Sequence, residues 1–254
     1  MKQVLSKLNQ ESKPISLLVQ KFVQSFVILC VFSIHVHGQG EIQDDVRVFY
    51  GNELTGSFAA NTNGFSIGGR YALRKDARHK YFYEFQASSI HHTKEIGILA
   101  DVGGRLIYGK SNSTYSFLFS YGNQSEKFSK LDKGSVAIRY IKFVGFALGI
   151  EKPYYYVVDI ENRIYERFDA STTSKYGRAP FFVGFNEIAV VPGLSAGASI
   201  NFEFSNKNKV VQALEFGAQV QVYARKLEIM YEAQNQMIFP SLFILYRFGK
   251  ALTL

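Results

Sequence analysis

From Gln39 onward the chain alternates apolar and polar residues at every second position, segment after segment, and helical periodicity is scarce. Successive side chains of a strand point to opposite faces, so this pattern predicts strands with one apolar and one polar face. Leu54, Gly56, Phe58 and Ala60 oppose Glu53, Thr55 and Ser57. After the turn Asn61-Thr62-Asn63-Gly64, Phe65, Ile67 and Tyr71 oppose Ser66, Gly68 and Arg70. Over residues 80–90 the apolar face is Tyr81, Tyr83, Phe85 and Ala87, against Glu84, Gln86 and Ser88; Tyr115, Phe117, Phe119 and Tyr121 then oppose Ser116, Leu118, Ser120 and Gly122. Val136, Ile138, Tyr140, Val144, Phe146 and Leu148 oppose Ala137, Arg139, Gly145 and Ala147. Lys142 interrupts that apolar face, which calls for a bulge or a place near a membrane interface. Leu194 to Phe204 is the cleanest alternation, followed by Leu214 to Val222 and by Leu242, Ile244, Tyr246 and Phe248, for eight strands in all.

Such strands build either a soluble sandwich with the apolar face inward or a membrane barrel with it outward, and the polar face separates the two. Here that face is rich in Ser, Gly, Ala and Gln with isolated charges, residues small enough for the crowded inside of a narrow barrel. Aromatic residues make up 15% of the chain, with 16 Tyr, 23 Phe and no Trp, and many fall near strand ends, where lipid headgroups receive them. The expected fold is all-β, a transmembrane antiparallel up-and-down barrel of about eight strands with long outer loops. Several apolar runs of about 20 residues, the mark of a polytopic helical membrane protein, are missing, and a single Cys excludes a disulfide framework or a multi-thiolate metal site.

The first 38 residues read as an export signal: Lys2, Lys7, Lys13 and Lys21 precede the short apolar run from Phe26 to Ile34, and Val36-His37-Gly38 closes it. The run is too short to span a bilayer. Cys30 follows Leu29 and is followed by apolar residues, unlike a lipidated Cys. The expected organisation is residues 1–38 as leader, cleaved near Gly38/Gln39, and residues 39–254 as the barrel. The mature chain then carries 25 Lys and Arg against 20 Asp and Glu, too even a balance for a nucleic-acid footprint.

With both termini at the periplasmic end, connections should alternate short inside and long outside. Residues 74–79 and 205–208 give short inner turns; residues 91–113, 150–192 and 225–237 give long outer loops; the first outer connection is a tight turn, and residues 123–134 are long for an inner one. The polar parity sends Glu53, Arg70, Glu84, Arg139, Glu203, Glu215 and Arg247 into a lumen wide enough only for side chains. Charges there must pair, which predicts a closed, salt-bridged interior. The loop 150–192 holds Tyr154, Tyr155, Tyr156, Tyr165, Phe168, Tyr176, Phe181, Phe182 and Phe185. Two readings apply: a partner-binding surface, or a lid that folds over the barrel mouth and buries its own rings. Ile160, Ile164 and Phe168 have the spacing of one helical face. His91, His92 and Glu95 could reach a metal only with difficulty, since adjacent strand residues point apart. Two Asn-x-Ser/Thr patterns, at Asn112 and Asn123, carry no expectation here, and no cofactor site is read. No Ser, His and acid cluster is visible, though strands can assemble one across a barrel.

The C-terminal strand Phe243-Ile244-Leu245-Tyr246-Arg247-Phe248-Gly249-Lys250 resembles the signal read by the barrel-assembly machinery of diderm bacteria. The body resembles a bacterial outer-membrane β-barrel family of unassigned activity, through Asn52-Glu53, Asn61-Thr62-Asn63-Gly64, His92-Thr93-Lys94-Glu95, Tyr108-Gly109-Lys110, Lys152-Pro153-Tyr154-Tyr155 and Leu214-Glu215-Phe216-Gly217. Thr93 stands where the family usually has Pro. The resemblance implies the outer membrane as location, with outer-membrane lipid and the assembly machinery as partners. The resulting expectation is a non-enzymatic structural or interaction protein acting through its outer loops, an accessory subunit of an envelope complex; the alternatives are a barrel enzyme acting on lipid and a narrow pore.

Overall fold

The computed structural model describes residues 51–99, 105–129, 135–169, 176–205 and 210–252. The leader read at residues 1–38 lies outside them. Eight long strands close into one antiparallel barrel. They are β1 (Asn52–Asn61), β2 (Gly64–Arg74), β3 (His79–Ile90), β6 (Asn112–Phe128), β7 (Ala137–Pro153), β11 (Ala189–Glu203), β12 (Val210–Tyr223) and β13 (Ile238–Leu252). β1 closes the ring against β13, so the sheet has no free edge. Five short strands lie in the outer loops: β4 (Gly97–Leu99) pairs with β5 (Arg105–Ile107), and β8 (Tyr155–Asp159) lies between β9 (Ile164–Arg167) and β10 (Gly177–Arg178).

The register fixes the barrel's shape. Following paired residues once round the ring runs Gly149, Ser116, Ser88, Ser66, Ala59, Leu245, Glu215, Asn201 and back to β7 at Arg139, ten residues from the start. Such a stagger tilts eight strands by roughly 40° and leaves a lumen that side chains can fill.

Alternation decides what faces where. Outward lie Leu54 and Phe58 on β1, Phe65 and Ile67 on β2, Tyr83 and Phe85 on β3, Phe119 and Tyr121 on β6, Val144 and Phe146 on β7, Leu194 on β11, Phe216 on β12 and Leu242 and Ile244 on β13, all exposed. A soluble barrel would bury them. This one buries Glu53, Arg70, Arg139, Glu203, Glu215 and Arg247 instead, each at most 4% exposed. An apolar band all round a closed polar interior is a surface for lipid, and the fold is a membrane barrel. Tyr71, Tyr81, Tyr83, Tyr121, Tyr140 and Tyr246 gather toward the end that carries both barrel termini and form its aromatic girdle.

One open reading narrows and one local expectation changes. No bulge occurs at Lys142, which pairs regularly with Asn123 and Ala198; the β6–β7 irregularity falls at Glu126/Phe128. Lys142 stays on the outward face next to Tyr140 in sequence parity, where its long stem lets the ammonium reach the headgroups. Ile160, Ile164 and Phe168 form no helix: Ile164 opens β9, which turns back on β8, because Asp159 accepts from the Asn162 N–H at 3.0 Å and closes a tight turn.

Candidate functional site: a filled lumen beneath crossed loops

The predicted lumen charges meet in two layers. Nearest the termini, Arg139 reaches Glu53 at 3.4 Å, Glu126 at 3.2 Å and Glu203, while Lys80 also binds Glu53. One layer further in, Arg70 contacts Glu84 at 2.7 Å and Glu215 at 3.5 Å, and Arg247 contacts the same two carboxylates at 3.0 and 3.2 Å. Two guanidiniums and two carboxylates therefore alternate round a square, each fork spanning two acids. Ser199 and Asn201 donate to Glu215, and the Arg70 guanidinium lies 4.0 Å from the Phe82 ring centre.

Rings fill what the charges leave. Phe82, Phe143 and Phe243 point inward onto Gly122, Gly197 and Gly217, where an added Cβ would come within 2.3, 2.4 and 2.5 Å of the facing ring. Glycine at these sites admits the ring rather than bending the chain. Sequence parity had placed Gly122, Gly197, Gly217 and the Phe243 ring inward, but not Phe82 and Phe143. Lys80 and Glu126 were also missed. Both keep the inward parity of their strands, one at the start of β3 and the other beyond the stretch whose alternation is clean, so extending the parity would have found them.

The outer loops seal the other end. Leu227, Ile229 and Met230, in the β12–β13 loop, pack down onto Ile90, Leu118, Ala147, Val191, Tyr223 and Phe239 at the barrel mouth. Buried Glu151 holds this loop by accepting from the Glu228 N–H and pairing with Arg225. The loops then bond to one another: Ser111 N–H donates to Ile229 O, Tyr231 N–H to Gly109 O and Tyr154 N–H to Ser111 O. The fully buried Tyr156 hydroxyl accepts from the Lys110 N–H at 2.9 Å and donates to Ile107 O at 2.6 Å. Burial pushes its phenol pKa up.

The nine loop aromatics divide. Tyr154 and Tyr156 are buried with Leu106, and Phe168 packs on them and against Tyr108 and Tyr231. Tyr155 and Tyr165 are half-buried on the small sheet, and Tyr155 donates to Glu187, which also pairs with Arg167. Half-buried Tyr176 joins the sheet through its backbone N–H to Val157 O. Phe181, Phe182 and Phe185 are exposed, at 46%, 80% and 42%, and pack on each other.

His91, His92 and Glu95 line a cleft of about 480 Å³ with Tyr154 and Arg178. Glu95 there is a clasp: it accepts from Lys110 at 2.8 Å and from the His92 N–H at 3.1 Å, and contacts His91 Nδ1 at 3.2 Å. Burial works against its charge, but the bonds from His91 and Lys110 outweigh it and hold the carboxyl at about 2. The hydroxyl of Ser89, close by in sequence, is bonded to both backbone groups of Phe65. Among the described residues no three His, Cys, Asp or Glu side chains converge as a metal site.

No family model and no curated protein matches the chain. Solved structures to which the chain is similar include the following three. Neisserial surface protein A aligns at a TM-score of 0.44 and 7% identity, covering 79% of this chain and 96% of that one. Ail, the attachment invasion locus protein of Yersinia pestis, solved with the heparin analogue sucrose octasulfate, gives 0.41 and 8%, covering 78% and 96%. The N-terminal barrel domain of Pseudomonas aeruginosa OprF gives 0.30 and 9%, covering 78% and 98%.

Proposed function

We propose that the chain is exported with cleavage near Gly38/Gln39, inserts in the outer membrane through the barrel-assembly machinery, and acts there as a non-enzymatic interaction protein, an accessory subunit of an envelope complex. The observation that carries the reading is the cap: three outer loops joined by backbone hydrogen bonds over a lumen filled by ion pairs and rings. A pore would keep a water path, and a lipid enzyme would present a nucleophile with its base. The interior charges Glu53, Arg70, Glu84, Arg139, Glu203, Glu215 and Arg247 serve as a structural plug. Hydrogen bonds between the loops order the cap before any partner arrives, so that binding costs less ordering entropy. The β8–β9 turn leaves Ile160 and Ile164 about half exposed on this cap. Affinity purification of the tagged protein from cross-linked cells, with and without residues 159–163, tests this. A protein partner held by the full chain and lost with the deletion supports the reading. An unchanged set of co-purified proteins, together with a change in membrane lipid masses that depends on the gene, would establish the enzyme instead.

A further inference from the structure

The outward face of β7 reads Val144, Phe146, Leu148, Ile150 and Lys152, and that of β11 begins Val190 and Pro192. In this sector the strands place no ring at their outer ends, although Tyr115 and Phe117 on neighbouring β6 do so. Lys152 has the outward parity, yet it is only 5% exposed. It is covered by the turn of residues 180–185. Its ammonium donates to Val183 O at 2.8 Å and lies 5.4 and 5.5 Å from the Phe181 and Phe185 ring centres. Gly184, at φ 81°, lets the turn lie close to Tyr155 and Pro153, where any Cβ would strike the Tyr155 ring at 2.7 Å. The loop thus folds back over the outer wall of the barrel instead of continuing away from it. Phe181 and Phe185 thereby lie beside Lys152, the outward position that follows Ile150 on β7, and Phe182 packs on both.

We propose that Phe181, Phe182 and Phe185 are a membrane anchor: the loop supplies outer aromatic rings over β7 and β11, whose own outer ends carry none, and its occupant is the lipid of the outer leaflet. Three mutually packed rings form an apolar unit that water does not stabilise. Placing them at the boundary between headgroups and acyl chains removes that exposure. The buried Lys152 fixes the turn against the wall through one carbonyl bond and two ring faces. A consequence is that the loop's protein-facing surface is its β8–β9 end, with its lipid-facing surface here. The inference rests on the membrane reading of the barrel.

The chain has no Trp, so one introduced indole reports alone. Phe182→Trp, Leu194→Trp on the barrel band and Ile160→Trp at the β8–β9 turn would each be refolded into phosphatidylcholine vesicles whose acyl chains are brominated either near the headgroup or near the methyl end. Folding of each is checked by its gel shift on heating. The expected result is blue-shifted emission from Phe182→Trp, with greater loss in lipid brominated near the headgroup than near the methyl end. Leu194→Trp should be quenched by bromolipid, and Ile160→Trp should emit as a water-exposed indole unaffected by bromine. Phe182→Trp emission matching that of Ile160→Trp would overturn the anchor. So would blue-shifted emission insensitive to bromine, which would place a second copy or another protein over the rings. Failure of Leu194→Trp to respond would instead count against the membrane reading itself.

Discussion

Arg139 is the side chain on which most of the lumen depends. It is 2% exposed and touches Glu53, Glu126 and Glu203. Removing one partner of a buried ion pair strands the other charges, at a cost of about 3–5 kcal/mol. Arg139→Ala should therefore lower stability by about that much, read from the urea midpoint of the protein in detergent micelles, whereas the same change at exposed Arg163 should leave it unaltered. Glu95 gives a second test. Its folded pKa of about 2 lies below the 4.5 of a free glutamate, so its clasp contributes fully above pH 4.5 and is lost as the pH falls from there toward 2. Amide-exchange protection around Lys110 should drop across that window, and Glu95→Gln should weaken protection at neutral pH while flattening the dependence.

At the scale of elements, each strand is a boundary between lipid and lumen, and neighbouring positions respond oppositely. Ala196, outward and midway along β11, meets the centre of the band, so Ala196→Arg should cost about 2–4 kcal/mol in vesicle folding titrations. One position on, Gly197 faces the Phe143 ring. Gly197→Val should destabilise by about 1–3 kcal/mol through overpacking, with no lipid dependence. Comparing the two in bilayers of different thickness separates the mechanisms. The loop strands β8, β9 and β10 obey a different rule. Their pairing is short, and Tyr156 rather than length holds them, through two hydroxyl bonds to the β5 side. Replacing this tyrosine with Phe leaves a buried donor and acceptor unpaired at about 1–3 kcal/mol, which should loosen the cap without unfolding the barrel.

For the whole molecule, two charge layers, three inward rings and an apolar loop plug predict a barrel that does not conduct. Planar bilayers containing it should show negligible conductance. A stable open channel would contradict the filled lumen directly. Heating should shift its gel mobility, as expected of a closed barrel that resists detergent until the ring opens.

The strands and the facing of their residues were legible in the sequence because a barrel strand's environment is periodic: lipid and lumen alternate with the side chains themselves. That periodicity gave eight strands, the outward Phe and Tyr, and the inward positions of Glu53, Arg70, Glu84, Arg139, Glu203, Glu215 and Arg247. It left two readings open at Lys142, of which the regular pairing removes the bulge, and it failed at Ile160, Ile164 and Phe168, whose helical spacing occurs on a tight hairpin. The tertiary structure alone decided which charges meet, since the partners of Arg139 and Arg247 come from other strands and depend on a ten-residue stagger that no local pattern records. It also decided the fate of the nine loop aromatics. Burial within crossed loops, or exposure on the outer wall, is set by contacts between segments far apart in the chain, and Tyr156 and Phe182 look alike until those contacts form.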